Sequence, residues 1–189
     1  MSLSPPQSDR PASSRMSDGD GRTTWDRPLT VQFAHGLESS PQGDKARYLA
    51  NHFDSVTPTM DTSDFESCVK LQAAELAKRP ADVLVGSSFG GAVALALVTR
   101  ALYVGPTLLL APAHRHYGVD EMIPFGVPVL IVHGTRDAVV AIDGSRALAG
   151  TGTVGLVRLV EVDDEHRLST LTQTDTLANL VKSTFHFAP

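Results

Sequence analysis

A serine near the middle of the chain lies between glycines, in a pattern typical of a nucleophilic serine. Residues 86–90 have the sequence Gly-Ser-Ser-Phe-Gly, a Gly-x-Ser-x-Gly pattern centred on Ser88. The apolar run 83–85 precedes this segment and the apolar stretch 92–98 follows it, so the pattern predicts a sharp turn between a strand and a buried helix. Such a turn would expose Ser88, and the positive end of the helix dipole would favour an anion forming beside it.

Other glycine-rich motifs fit this turn poorly. Gly86 and Gly91 have the spacing of a phosphate-binding loop, but Ala92 and Val93 stand where that loop requires Lys and Ser or Thr. A dinucleotide-binding fingerprint is excluded because position 88 is serine and not glycine. The remaining structural alternative is a turn of small residues that only packs a helix against a sheet.

A serine hydroxyl becomes an effective nucleophile only when a base removes its proton, and His166 is the candidate base. It lies in a polar segment that directly follows the predicted strand 156–162. Asp137 follows another predicted strand, 128–132, and could accept a hydrogen bond from His166 and stabilise the imidazolium. Asp164 is the alternative acid, although its place on the same loop gives poor geometry for orienting the histidine. An exposed loop histidine and an aspartate that caps the next helix are the structural alternatives.

The negative charge of a tetrahedral intermediate needs backbone donors, and two are expected beside the serine. One is the N–H of Phe89, the residue after the nucleophile, and the other is the N–H of Leu37, in the loop after the predicted strand 29–33. Gly36 would allow that loop to approach closely. We expect His35 to brace the loop rather than to act as a second base.

Other histidines and the single cysteine have structural interpretations. His133 is expected to form part of the turn before Asp137, and Cys68 lies on the apolar face of a predicted helix, where it would be core. His114 and His116 form a His-x-His pair, but a metal site would need a third ligand, so we expect pocket lining or exposure. Neither a metal site nor a cofactor is predicted.

These residues would be positioned by strands and helices that alternate along the chain. Apolar runs predict about six strands, and apolar residues spaced three and four apart predict helices between them. Strands buried on both faces are typical of a parallel sheet covered by helices, which binds ligands at the carboxyl ends of its strands. The predicted strands are 29–33, a short piece around Val56, 83–85, 107–110, 128–132 and 156–162. The predicted helices lie within 46–53, 65–77, 92–98, 141–149 and 177–185.

The composition is that of an ordinary globular protein of one domain. The chain has 189 residues, 42% of them hydrophobic, and a formal net charge of −5. A mildly acidic chain does not attract nucleic acid or anionic lipid electrostatically, so neither is an expected partner. No apolar run has the length that spans a bilayer, so a membrane is not expected either. The single cysteine excludes an internal disulfide framework and, with no visible secretory signal, favours the cytoplasm. The sequence does not indicate an oligomeric state.

Residues 1–28 differ from the remainder of the chain. They are rich in Ser and Pro, carry balanced Arg and Asp, and contain almost no apolar residues. Such a segment cannot bury enough surface to offset the entropy of ordering. We therefore predict a disordered tail over 1–28 and one α/β domain over 29–189.

Four segments together resemble the α/β-hydrolase superfamily, in its branch of small, lidless serine esterases. They are His-Gly-Leu at 35–37, the serine turn at 86–91, His-Gly-Thr-Arg-Asp at 133–137 and Asp-Glu-His at 164–166, in the family's order of nucleophile, acid and base. The stretch 35–41, followed by a helix, is also similar to the YqiA-type esterases. The resemblance covers residues 29–187 and implies a single-domain α/β-hydrolase fold with mostly parallel strands flanked by helices.

The chain departs from larger family members in two ways. We expect their first two strands to be missing, with the tail in their place, and residues 111–126 suffice for a loop or one short helix but not for a lid domain. The site is therefore expected to be shallow and open. We expect Leu37 and Phe89 to line it together with five residues of this loop: His114, His116, Tyr117, Met122 and Phe125.

The resemblance implies that Ser88, His166 and Asp137 form a catalytic triad that cleaves carboxylic esters or thioesters through an acyl-enzyme. The expected substrate is a small or flexible soluble ester rather than an aggregated lipid. A non-catalytic binding or scaffold protein on the same fold, and an acyltransferase, are the alternatives.

Overall fold

The computed structural model describes residues 27–186 and the backbone of two short stretches, Met16–Ser17 and Thr23–Thr24, which pair as antiparallel strands. The disordered tail predicted over 1–28 lies largely outside the described residues and stays a prediction. Where the continuous description begins, the guanidinium of Arg27 donates hydrogen bonds of 2.7 and 2.9 Å to the carboxylate of Asp82.

Six parallel strands form the main sheet, as predicted. The spatial order is β2-β1-β3-β4-β5-β6, so the chain passes outward from β1 to β2 and then returns to place β3 on the other side of β1. This reversal opens a crevice between the carboxyl ends of β1 and β3, which is where open α/β sheets bind ligands. The strands are β1 (Thr30–Ala34), β2 (Asp54–Val56), β3 (Val83–Ser87), β4 (Thr107–Leu110), β5 (Val129–Gly134) and β6 (Val157–Val162).

The α-helices of residues 27–186 cover both faces of the sheet. They are α1 (Asp44–His52), α2 (Phe65–Lys78), α3 (Phe89–Thr99), α4 (Asp143–Ala149) and α5 (Thr176–His186). The apolar sides of α1 and α5 pack on one face, and those of α2, α3 and α4 pack on the other. Cys68 lies in the core of the second layer, as predicted. In the described part of the chain, every helix is too short or too polar to cross a membrane.

The α3 helix is buried on all sides and leads away from the serine turn. Every residue from 89 to 98 is buried, because the helix lies between the sheet and α2. It begins three residues earlier than the predicted helix 92–98, since the turn at Ser88 is sharp enough for α3 to start at the next residue.

The connection between β4 and β5 forms no lid domain. Residues 111–128 contain one short 3-10 helix, His114–Tyr117, and otherwise run as loop. The single-domain architecture predicted from the sequence is confirmed.

Candidate active site

The turn at Ser88 has the strained backbone that the glycine pattern predicts. Ser88 has a φ of 55° and a ψ of −115°, which residues other than glycine rarely adopt. A Cβ at position 90 would lie 2.6 Å from the carbonyl oxygen of His35, and a Cβ at position 86 would lie 2.7 Å from the Cβ of Ala94. Both positions therefore require glycine, because strand, turn and helix approach so closely.

Two short hydrogen bonds join Ser88, His166 and Asp137. His166 Nε2 lies 2.8 Å from Ser88 Oγ, and His166 Nδ1 lies 2.7 Å from Asp137 Oδ2. Because an ionised carboxylate only accepts hydrogen bonds, Nδ1 carries the proton and Nε2 is left to accept from the serine hydroxyl. The structure thus brings together the three residues that the sequence pairs, and their catalytic role stays a prediction.

Asp137 is buried and held in its ionised form. Its side chain is 1% exposed, and its Oδ1 accepts hydrogen bonds of 2.8 Å from the N–H groups of Val139 and Val140. Burial opposes ionisation, but these two donors and His166 outweigh it and hold the pKa of Asp137 below its ordinary value. The carboxylate is therefore available to fix the tautomer of His166.

Asp137 and His166 lie on two loops that follow neighbouring strands, β5 and β6. The N–H of Arg136 donates a hydrogen bond of 3.1 Å to the carbonyl of Asp164, which ties one loop to the other. Gly134 lies at the point of closest approach, where a Cβ would lie 2.9 Å from the carbonyl carbon of Asp164. The two loops can close because position 134 has no side chain.

Asp164, the alternative acid, holds the loop of the base rather than its imidazole. Its Oδ2 accepts hydrogen bonds from the N–H and the hydroxyl of Thr170, at 3.0 and 2.6 Å, and its Oδ1 accepts one of 2.7 Å from the N–H of Glu165. Burial opposes ionisation of Asp164, but these donors outweigh it and lower its pKa. From α1, Lys45 donates to the carbonyl oxygen of Arg167 and supports the same loop from outside.

His133 is a buried neighbour of the acid, a contact that the sequence did not predict. Its side chain is 0% exposed, and Nε2 lies 3.1 Å from Asp137 Oδ2 and 3.0 Å from the carbonyl oxygen of Val140. Its Nδ1 lies 2.7 Å from Ser145 Oγ in α4. The spacing of four residues between His133 and Asp137, at the end of a buried strand, is the signal that points to this contact.

The two predicted oxyanion donors belong to segments that adjoin the serine. Phe89 is the first residue of α3, so its N–H has no acceptor within the helix. Leu37 follows Gly36, where a Cβ would lie 3.5 Å from the Cβ of Ser88, so this loop packs beside Ser88. The binding of an oxyanion by the N–H groups of Phe89 and Leu37 stays a prediction.

His35 braces the loop that carries Leu37. Its Nδ1 donates a hydrogen bond of 2.9 Å to the carbonyl oxygen of Gly36, and its Nε2 accepts one of 3.3 Å from the N–H of Met60. Both ring nitrogens are occupied and the side chain is buried, so His35 is not available as a second base.

Solved structures with this architecture include hydrolases and esterases. The structure is similar to a protein of Agrobacterium vitis assigned as a hydrolase, with a TM-score of 0.66 and 20% identity over 85% of this chain and 88% of that chain. A protein of Xanthomonas campestris assigned to the α/β-superfamily hydrolases has a TM-score of 0.63 and 25% identity, over 82% of this chain and 98% of that chain. The esterase domain of a Rhodothermus marinus protein has a TM-score of 0.61 and 16% identity, over 93% of this chain and 98% of that chain. The chain has the α/β-hydrolase fold.

This assignment comes from the structures alone. No model of a protein family matches the sequence, and no curated protein matches it either. The similarity to the YqiA-type esterases stays a prediction.

Tyr117, a predicted lining residue, packs against Phe89 at the turn that follows Ser88 in this α/β-hydrolase fold. Its ring stacks on Phe65 with centroids 5.1 Å apart and meets Phe89 edge-on at 5.0 Å. Tyr117 and Phe65 remain partly exposed, whereas the side chain of Phe89 is buried beneath them. Tyr117 and Phe65 therefore form an aromatic wall, to which Phe89 contributes only as support.

The His-x-His pair has one buried and one exposed member, and a lining role for His116 stays a prediction. His114 is 1% exposed, with Nδ1 donating to the carbonyl oxygen of Pro112 at 3.1 Å, so its side chain cannot contact a substrate. Burial also lowers the pKa of His114, which disfavours its charged form. His116 is exposed on the 3-10 helix. Within the part of the chain that the structure describes, no three His, Cys, Asp or Glu side chains are grouped to hold a metal ion.

Met122 and Phe125 belong to the second half of the connection between β4 and β5, which favours a place away from Ser88 and disfavours their predicted lining role. Both side chains are exposed, but the N–H of Gly126 beside them donates a hydrogen bond of 2.8 Å to Thr153 Oγ1, in the segment that enters β6. That segment lies at the edge of the sheet where the strands begin, and Ser88 lies at the edge where they end. The reason is topological: a connection between two parallel strands must return to the starting edge, so its second half leaves the site.

Proposed function

We propose that this protein is a serine hydrolase that cleaves carboxylic esters, thioesters included, through an acyl-enzyme. The proposal rests on the pair of hydrogen bonds that runs from Asp137 through His166 to Ser88. The positive φ of Ser88 supports it, because a turn that only packs a helix gains nothing from a strained serine. The hydrolases and esterases among similar solved structures support the general class.

In the proposed reaction, Ser88 Oγ attacks the carbonyl carbon of the ester while His166 Nε2 takes the hydroxyl proton. The carboxylate of Asp137 stabilises the imidazolium that forms. The tetrahedral intermediate collapses, His166 gives the proton to the departing alkoxide or thiolate, and Ser88 keeps the acyl group. Water, deprotonated by His166, then attacks the acyl-enzyme; the bond to Ser88 Oγ breaks, His166 returns the proton to that oxygen, and the carboxylic acid leaves.

The N–H groups of Phe89 and Leu37 are proposed to bind the oxygen that becomes negative in each tetrahedral intermediate. The amino end of α3 adds its positive dipole end at the same place. Donors that are already in position cost no reorganisation during the reaction, and losing one typically costs about a hundredfold to a thousandfold in kcat.

The short connection between β4 and β5 favours small or flexible substrates. Over residues 111–128 it supplies one 3-10 helix and no second layer above the serine, so the site offers little depth for a long acyl chain. Tyr117 and Phe65 provide one apolar wall of limited extent. We expect acetyl and butyryl esters to be hydrolysed faster than long-chain esters.

The first test is the hydrolysis of p-nitrophenyl acetate and butyrate by the wild type and by Ser88→Ala, at matched purity and with folding verified by circular dichroism. We expect kcat/KM to fall by roughly a thousandfold or more on loss of the hydroxyl. Turnover by the wild type that is no faster than that of the variant would contradict ester hydrolysis.

A fluorophosphonate probe tests the nucleophile without assuming a substrate. We expect the probe to label the wild type and Ser87→Ala but not Ser88→Ala, because only the serine bonded to His166 is activated. Ser87 is a matched control, since it is the neighbouring serine at the end of β3. Labelling without ester hydrolysis would point to acyl transfer, and absence of labelling would point to a binding protein.

A further inference from the structure

We infer that His133 is a positioning residue for the site: its buried N–H holds the Val140 peptide, whose own N–H holds the carboxylate of Asp137 toward His166; this inference rests on the proposed function. His133 Nε2 lies 3.1 Å from Asp137 Oδ2, the oxygen that accepts a hydrogen bond from His166 Nδ1 at 2.7 Å. One carboxylate oxygen is thus in contact with both imidazoles. His133 does not reach the substrate, because its side chain is fully buried.

The neighbours of His133 Nε2 place a proton on that nitrogen. Val140 O lies 3.0 Å away and Asp137 Oδ2 lies 3.1 Å away, and a carbonyl and a carboxylate can only accept. If Nε2 carried no proton, its lone pair would face the lone pairs of both oxygens, and they would repel each other. On the other side of the ring, Ser145 Oγ lies 2.7 Å from Nδ1 and can either donate or accept. The N–H at Nε2 is therefore present whichever charge state the ring has.

His133 also holds the peptide that supports the other oxygen of the acid. The N–H of Val140 donates to Asp137 Oδ1 at 2.8 Å, and the carbonyl of Val140 accepts from His133 Nε2 at 3.0 Å. Loss of this one N–H would leave Val140 O short of a donor and would loosen the peptide that supports Asp137 Oδ1. Because His133 is 0% exposed, water is not at hand to replace it.

Two acidic side chains face His133, and one of them, Glu161, already has another partner. Asp137 follows it on the same turn, and Glu161 is its register partner in β6. Glu161 already accepts two hydrogen bonds of 2.9 Å from Arg146. Asp137, buried and bonded to His166, is the carboxylate that His133 supports through the Val140 peptide.

A positioning role and a merely structural role predict different kinetics. A structural histidine affects the free energy of unfolding and leaves the titration of the site unchanged. A positioning donor affects kcat and leaves KM unchanged, because it touches no substrate. It also affects the pH profile: a carboxylate with fewer donors holds the protonated imidazole of His166 more strongly, so the acid limb of kcat/KM moves to higher pH.

The test compares two amide substitutions of the same histidine. His133→Gln extends an N–H donor to about the position of Nε2, whereas His133→Asn reaches only to about Nδ1. With p-nitrophenyl acetate we expect His133→Asn to lose about tenfold to a hundredfold in kcat at unchanged KM and to shift the acid limb upward. We expect His133→Gln to lose several-fold less and to keep the position of the limb. The low-field proton between His166 and Asp137 in the NMR spectrum should move in His133→Asn and stay in His133→Gln.

Two controls separate this inference from stability and from the proposed function. Val181→Ala, a core substitution in α5, should lower the free energy of unfolding without moving the pH profile. Every assay is run below the melting midpoint of the least stable variant. Equal losses in both amide variants with an unmoved acid limb would overturn the role of His133 while ester hydrolysis stands. A wild type no faster than Ser88→Ala would overturn the proposed function and this inference with it.

Discussion

Gly134 lies against the peptide that follows Asp164: a Cβ at position 134 would lie 2.9 Å from the carbonyl carbon of Asp164 and 2.9 Å from the carbonyl oxygen of Glu165. This contact joins the end of β5 to the loop after β6. It allows two side chains 29 positions apart, Asp137 and His166, to come within 2.7 Å. The hydrogen bond between acid and base thus depends on a missing side chain three residues before the acid.

Gly134→Ala should separate these loops and reduce activity. Overpacking of this kind costs about 1–3 kcal/mol in the free energy of unfolding, and we expect kcat to fall roughly tenfold or more because His166 loses alignment with its partner. Gly150→Ala at the end of α4 is the matched control, since a Cβ there meets one atom, at 3.3 Å. Urea unfolding and ester hydrolysis measure the two effects, and equal behaviour of both variants would contradict the prediction.

Asp137→Asn and Asp164→Asn should have different effects, although both replace buried carboxylates near His166. Asparagine at 137 cannot stabilise the imidazolium, so we expect kcat to fall by roughly a thousandfold or more with folding retained. Asparagine at 164 weakens the bonds to Thr170, so we expect a larger loss of thermal stability and a smaller loss of kcat. Melting curves and steady-state kinetics decide between them; a larger kcat loss in Asp164→Asn would reverse the assignment of the acid.

Tyr117→Ala should change the preference for acyl length, and Phe125→Ala should not. Tyr117 packs with Phe65 beside the turn at Ser88, so its removal takes away half of the apolar wall and enlarges the space beside it. Phe125 is 87% exposed at the opposite edge of the sheet. One to two methylene groups of contact are worth about 1–3 kcal/mol, so the butyrate-to-acetate ratio of kcat/KM should shift by roughly tenfold in Tyr117→Ala. An altered ratio in Phe125→Ala alone would place the acyl group elsewhere.

Asp82 should stabilise the fold above about pH 4 and lose this effect in acid. Burial opposes its ionisation, but hydrogen bonds from Arg27 and Thr30 outweigh burial and hold the pKa of Asp82 below its ordinary value. A depressed pKa contributes stability that is present above the unfolded-state pKa and disappears as pH falls through the folded-state pKa. We expect Asp82→Asn to lower the free energy of unfolding by about 1 kcal/mol at pH 7, since Arg27 is half exposed, and by less as the pH falls.

Urea unfolding between pH 3 and pH 7 measures this dependence. Asp175→Asn is the control, because its side chain is 84% exposed and its loss should change little at any pH. A deficit in Asp82→Asn that is constant with pH would show that the charge of Asp82 is not the cause.

The sequence by itself determined the order of strands and helices and the turn at Ser88. Apolar runs, and apolar residues spaced three and four positions apart, follow from local backbone geometry. They therefore predicted each strand and helix to within a few residues. The glycines around Ser88 express a local steric demand in the same way. The chain order of serine, acid and base also lies in the sequence, which is why Ser88, Asp137 and His166 could be named before their contacts were known.

Only the tertiary structure decided which carboxylate meets His166 and which residues surround the serine. Asp137 and Asp164 both follow strands at the correct edge, and the choice depends on the contact of Gly134 with the next loop and on the hydrogen bonds of Asp164 to Thr170. The contact of His133 with Asp137 depends in the same way on how the turn after β5 folds back on the strand. Met122 and Phe125 were predicted to line the site because apolar character does not say at which edge of the sheet a connection lies. Pairings between loops and the path of a connection are set by packing between distant parts of the chain, and no local pattern of residues contains that information.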